Sequence, residues 1–207
     1  PEKAYVPETY DESGIIIGRG FNLRTRHCYK AYHLALREDY PQELAARNEI
    51  ERPKEEVRIL LEAAQIPSAK INKILEAHPH KGEAAKRYLT DNPNFPTLTI
   101  EEQKNLLNLT YPCYESDAIL QCNHIKYMSR YGKSPVNWAT LDYRIKSVVI
   151  DLCFTGDFNY RSRRKLQKSV TDNDLSRFKR SFKNNGTWSI RAYQWNSRAA
   201  LTAVPPH

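Results

Sequence analysis

Four carboxylates, Glu2, Glu8, Asp11 and Glu12, precede the run Ser13-Gly14-Ile15-Ile16-Ile17-Gly18-Arg19-Gly20-Phe21-Asn22-Leu23. Carboxyl groups held against a ligand give up or take protons at a reacting bond. Ser13 and Gly14 predict a tight connection, and the three isoleucines a short, half-buried strand. Gly18 and Gly20 predict a place where something approaches the backbone closely. On shape alone the run is an ordinary hairpin; the carboxylates feeding it make it a candidate site.

The elements that must position this hairpin are helical. From about Thr25 to Asp39, Cys28, Tyr32, Ala35 and Leu36 recur at helical spacing. Pro53 suits a first turn, Val57, Leu60, Leu61 and Ala64 then form one apolar face, and Pro67 ends it. Ile71, Ile74 and Leu75 repeat the pattern up to His78-Pro79, and a short helix follows over Gly82 to Leu89. Asp91 to Pro96 reads as a loop. Thr99-Ile-Glu-Glu102 has capping-box spacing and predicts a helix carrying Leu106, Leu107 and Leu109. Leu141, Ile145, Val148, Val149, Leu152 and Cys153 mark the most apolar helix, expected at the centre of the core. Thr171 to Asp174 begins another, with Leu175, Phe178 and Phe182 on one face, ended by Asn185-Gly186. A last helix is expected from Trp188 to Val204, before Pro205-Pro206. The fold class is therefore α+β, mostly α, with its only sheet in about the first 25 residues and eight to ten helices. One domain of 207 residues is expected, with a β-hairpin lobe over 1–24 and a helical body over 25–207.

No stretch reaches the roughly 18 to 20 apolar residues that span a bilayer, and no basic segment followed by an apolar one opens the chain as an export signal would. The net charge of +8 and pI near 9.3 imply attraction to nucleic acid, an acidic membrane surface or a bacterial wall polymer. Arg161, Arg163, Arg164, Lys165 and Lys168, with Arg177, Lys179, Arg180 and Lys183, are the main basic cluster. They are either solvated helix faces or a contact for a phosphate-rich or wall polymer. Four cysteines are too few for a disulfide scaffold. Cys28 and Cys153 read as buried free thiols, and Cys113 and Cys122 could bridge if the chain between them folds back. His27, His33, His78, His80 and His124 carry no metal-ligand spacing, and there is no dinucleotide, P-loop or nucleophile-elbow fingerprint, so no metal or other cofactor is expected. Trp138, Trp188 and Trp195 are most simply core residues, with sugar stacking the alternative.

Tyr5-Val6-Pro7, then Ser13-Gly14, then Ile16-Ile17-Gly18-x-Gly20-Phe21-Asn22-Leu23 resembles the signature "YVP...SGVTIGxGFDLG" of the pesticin-type branch of the phage-lysozyme superfamily. Lys81 to Ala85, Leu98 to Gln103, Trp138 to Leu141 and Val149 to Asp157 are similar to stretches that follow in like order in that branch, so the likeness runs through nearly the whole chain. The resemblance implies a lysozyme-like fold and a muramidase, a glycoside hydrolase of toxins, effectors or phage-derived lytic enzymes. It implies peptidoglycan glycan strands as partner, an immunity protein, and action in the bacterial periplasm or wall.

Glycoside cleavage needs a carboxylic acid to protonate the leaving oxygen and a second group to stabilise the cation or position water. By the resemblance Glu2 is the acid and Asp11, nine residues later, its electrostatic partner; Glu8 is the rival acid. Tyr10, Gly18, Arg19 and Gly20 are the substrate-side residues, and Arg191 and Arg198 pin the last helix. The chain departs from the signature twice: Ile16 stands where the family has threonine and Asn22 where it has aspartate. An amide cannot ionise, though it can orient a water. Two other readings follow: a degenerate lysozyme-fold module that binds glycan, favoured by those departures, and a basic helical nucleic-acid binder, favoured by charge alone.

Overall fold

Ile16–Ile17 (β1) and Phe21–Asn22 (β2) pair antiparallel, Ile16 opposite Asn22 and Ile17 opposite Phe21. The turn between them needs left-handed backbone, and Gly18 and Gly20 supply it at φ +53° and +102°. Isolated bridges extend the hairpin on both sides, Tyr5 to Ile16 and Gly14 to Lys81. The computed structural model describes residues 3–7, 13–24, 29–36, 51–125, 128, 134–154 and 157–183. Among these are eight helices: Tyr29–Leu36 (α1), Glu51–Ala63 (α2), Ser68–Ala77 (α3), Gly82–Asp91 (α4), Ile100–Cys122 (α5), Tyr143–Phe154 (α6), Tyr160–Thr171 (α7) and Leu175–Lys183 (α8). Among the described residues the fold is mostly α with one small two-stranded sheet. The expected helix over Trp188 to Val204 and its stop lie outside the described residues, as do Arg191 and Arg198.

The chain divides into two compact units, Pro1–Cys113 and Tyr114–His207. The division falls inside α5, whereas the hydropathy pattern set the hairpin apart from a helical body. The hairpin is no separate lobe, because Ile15, Ile17, Phe21 and Leu23 share one core with Leu60, Leu61, Ile71 and Ile74. Two buried residues on each side of a three-residue turn cannot form a core of their own. In the second unit Val148, Val149, Leu152, Leu166 and Phe178 are wholly buried, with α6 at their centre.

Several boundaries moved for local reasons. Helix α2 stops at Ala63, before Pro67 acts. Gln65 turns left-handed at φ +61°, so that Ile66 N donates to Leu61 O at 3.1 Å and Gln65 N to Glu62 O at 2.9 Å. Asn173, at φ +52°, closes α7 the same way. Its side chain also accepts from Asp142 N at 2.8 Å and donates to Thr140 O at 3.0 Å, fixing the entry to α6. Helix α7 itself was not foreseen, because its run from Arg161 to Lys168 reads as charge rather than as periodicity. Helix α5 continues through Pro112 for 23 residues, although proline withholds one helical hydrogen bond there.

That continuity decides the cysteines. Nine residues of helix set Cys113 and Cys122 about 13 Å apart along the axis, far beyond the roughly 7 Å limit between bridged Cα atoms. Cys113 is disulfide-bonded and Cys122 is a free thiol, so the two are not bridged to each other. Cys153 is free and half-buried; burial pushes the Cys122 and Cys153 thiols up to about 12. Cys28 lies outside the described residues.

Leu152, fully buried on α6, tests the assignment of this helix as the core of the second unit. Leu152→Ala is expected to cost about 2 to 5 kcal/mol, read as a lowered denaturation midpoint at unchanged slope; an unmoved midpoint would refute the placement.

Candidate functional site

The side chains that hold the hairpin in place are small and polar. Asn22 Nδ2 donates to Ser13 Oγ at 3.1 Å, and Asn22 Oδ1 accepts from Arg24 N at 2.9 Å. Ser13 O accepts from Gly82 N at 2.9 Å, which ties the hairpin to the start of α4. Gly14 is required by this crowding, since a β-carbon there would stand 2.9 Å from Asn22 Oδ1 and 2.3 Å from Arg24 Cγ. Asn22 therefore clips the segment entering the hairpin to the one leaving it.

Gly18 is closely approached as expected, but by the protein itself. A β-carbon on Gly18 would lie 3.0 Å from Gln103 Cγ and 3.3 Å from Leu98 Cδ1, and the residue is buried. Arg19 at the turn is exposed, and Gly20 and Ile16 are half-buried. Glu2, Glu8, Tyr10 and Asp11 lie outside the described residues.

Leu98 and Gln103 also line an open groove of about 780 Å³, together with Lys3, Lys70, Lys73 and Phe95. A smaller hollow of about 250 Å³ shares Lys73 and the Pro93 to Pro96 loop with it and adds Glu76, Tyr88 and Asp91. The loop is shaped by aromatic contacts: His80 stacks on Tyr88 at 4.5 Å, and Tyr88 meets Phe95 edge-on at 6.2 Å.

The groove wall is set by the capping box read from Thr99 to Glu102. Thr99 N donates to Glu102 Oε2 at 2.7 Å, and Glu102 N to Thr99 Oγ1 at 3.2 Å. Lys70 from α3 then donates to both carboxylate oxygens at 2.9 Å. Burial alone would raise the Glu102 pKa, but the bonds from Lys70 and Thr99 outweigh it and hold the carboxyl below its usual range. Gln103 Nε2 donates to Leu98 O at 2.8 Å, which locks the strip on which Gly18 rests. Sequence reasoning found the box but not the groove, because Lys70 and Lys73 carry no motif. Neutralised by Glu102, Lys70 is part of the wall, while Lys3 and Lys73 are exposed cations of the groove, Lys73 bordering both hollows.

Below the hairpin, His78 is buried and its Nε2 has no hydrogen-bond partner. Burial, then the charges of Arg24 and Lys54, lower its pKa from 6.5 to about 4. Among the described residues no group of three His, Cys, Asp or Glu side chains is placed to hold a metal ion. Trp138 is half-buried against the second core and donates its indole N–H to Glu115 at 3.1 Å; Trp188 and Trp195 lie outside the described residues.

Residues 49–198 match the family described as Domain of unknown function (DUF8812). The chain belongs to this family. The DUF8812 match takes in α2 to α8 and leaves the hairpin and its carboxylate arm on its N-terminal side. No curated protein and no solved structure matches the chain.

The His78 environment fixes the sign of a pH effect. Between pH 6.5 and about 4 the unfolded chain binds a proton at this histidine that the folded protein does not, so stability falls as pH falls through that window. Thermal melts should show the decline for the wild type and a smaller one for His78→Leu, which removes the titrating ring; equal declines would exclude His78 as its source.

Proposed function

We propose that the protein acts on the glycan strands of bacterial peptidoglycan as a lysozyme-fold muramidase. The observation that carries the reading is the hairpin with its pesticin-like residues, seated by Gly18 on the Leu98–Gln103 wall of an open groove. In this reading the strand lies in the groove, and Tyr10, Arg19 and Gly20 are the residues assigned to the substrate. Glu2 protonates the glycosidic oxygen, and Asp11 stabilises the positive charge that develops on the sugar; Glu8 is the alternative acid. Action in the periplasm or wall, as a toxin, effector or lytic enzyme, and inhibition by an immunity protein belong to the same proposal.

A second reading, a glycan-binding module of the same fold without catalysis, is favoured by Asn22. Both ends of its amide are spent on Ser13 and Arg24, and Ile16 offers no hydroxyl for a water. Its position in the hairpin is nonetheless compatible with a carboxylate. In Asn22→Asp the Ser13 hydroxyl can turn to donate where it now accepts, and Arg24 N keeps its acceptor.

Release of muropeptides from purified sacculi separates the two. The wild type should release them. Glu2→Gln should abolish release with sacculus binding and melting temperature unchanged, because the amide has no proton to deliver; loss in Glu8→Gln instead would move the acid there. Asn22→Asp should be as active as the wild type or more so. No release by the wild type, nor by Ile16→Thr combined with Asn22→Asp, would leave the binding module.

A further inference from the structure

Residues 159–183 carry nine basic and two acidic side chains, and the structure sorts them by task. Arg163 is buried, stacks over Phe158 at 4.8 Å, and donates to Phe158 O and Gln121 Oε1; it belongs to the core. Lys168 pairs with Asp172 at 2.8 Å. The other acid, Asp174, caps α8 by accepting from Arg177 N at 2.8 Å. Arg161 and Arg164 on α7 and Arg177 and Arg180 on α8 are exposed, and no ion pair engages them among the described residues.

These four stand on two neighbouring helices. On α7, Arg161, Arg164 and Lys168 follow one helical stripe opposite the buried Leu166 and Val170. On α8, Arg177 and Arg180 lie away from buried Phe178. The helices pack together, and Ser181 Oγ, within 3.5 Å of Lys165 O, marks the seam. Helix energetics do not account for the two arginines nearest the helix starts. Arg161 and Arg177 stand in first turns, where the helix dipole disfavours positive charge, and neither first turn holds an acidic residue beyond the Asp174 cap of α8. The combination suits an anion with many charges. Guanidinium groups match phosphate in shape and keep their charge at any physiological pH. Phe178, on α8, is buried and so does not stack on bases.

We infer that Arg161, Arg164, Arg177 and Arg180 form a docking surface for a linear phosphodiester polymer of the bacterial wall. The polymer is recognised by charge along its backbone. The choice of wall polymer over nucleic acid rests on the wall-directed reading above; the surface itself does not.

The test measures binding of the whole protein to purified poly(glycerol phosphate), which has no glycan strand to cleave, across a salt series. The wild type should bind with an affinity that falls steeply with salt as counterions are released. Replacing all four arginines by glutamine should weaken binding about tenfold or more and flatten the salt dependence, while replacing them by lysine should largely preserve it. Arg87→Gln with Lys104→Gln, an equal charge loss in the first unit, should weaken binding less than Arg161→Gln with Arg180→Gln; equal losses would overturn the surface. Tighter binding to mixed-sequence duplex DNA through the same arginines would overturn the polymer and make the partner nucleic acid. Muropeptide release from sacculi stripped of phosphate polymer, with no binding to poly(glycerol phosphate), would sink this inference and spare the muramidase. Binding without release would do the reverse.

Discussion

The first unit is organised around one nearly buried carboxylate. Glu102 takes two hydrogen bonds from Lys70 and one from the backbone of Thr99, so its charge is matched where water reaches it little. Without Lys70 that charge would be stranded, and burying an unpaired carboxylate is among the most expensive things a fold can do. The clamp joins α3 to the start of α5 and sets the strip from Leu98 to Gln103, on which the hairpin turn rests. Groove, loop and hairpin thus depend on one ion pair and one capping box.

The hairpin is held by a different economy. It is too short to stand alone, so it borrows the core of the helices and is secured at its rim by Asn22, Ser13 and Gly82. This gives the Asn22 amide a structural task that a sequence comparison cannot reveal. Because the amide already serves as a fastener, its presence alone does not decide between the two proposed readings, an enzyme and a binding module.

Charge in the second unit has been divided rather than spread. One arginine is a core residue, one lysine is neutralised within its own helix, and one aspartate is spent on a cap. What is left exposed is a set of arginines on two packed helices, two of them in first turns where the helix dipole disfavours positive charge.

The sequence by itself determined most helices, since an apolar face every 3.6 residues survives any tertiary context: Val57, Leu60, Leu61 and Ala64 are all buried, as are Ile145, Val148, Val149 and Leu152. It also determined the capping box, which is a purely local set of bonds, and the glycine turn. It did not reveal α7, because a helix whose buried face is Ser162, Arg163, Gln167 and Ser169 beside Leu166 and Val170 has no clean hydropathy period. The left-handed stops at Gln65 and Asn173 were equally hidden, as neither residue is the glycine that such a stop prefers. Only the tertiary structure decided that Gly18 is covered by Gln103, that Lys70 is bound to Glu102, and that Arg163 is inside while its neighbours are outside. Each of these joins residues far apart in the chain or turns on which face of a helix meets a core, and spacing along the sequence does not encode either.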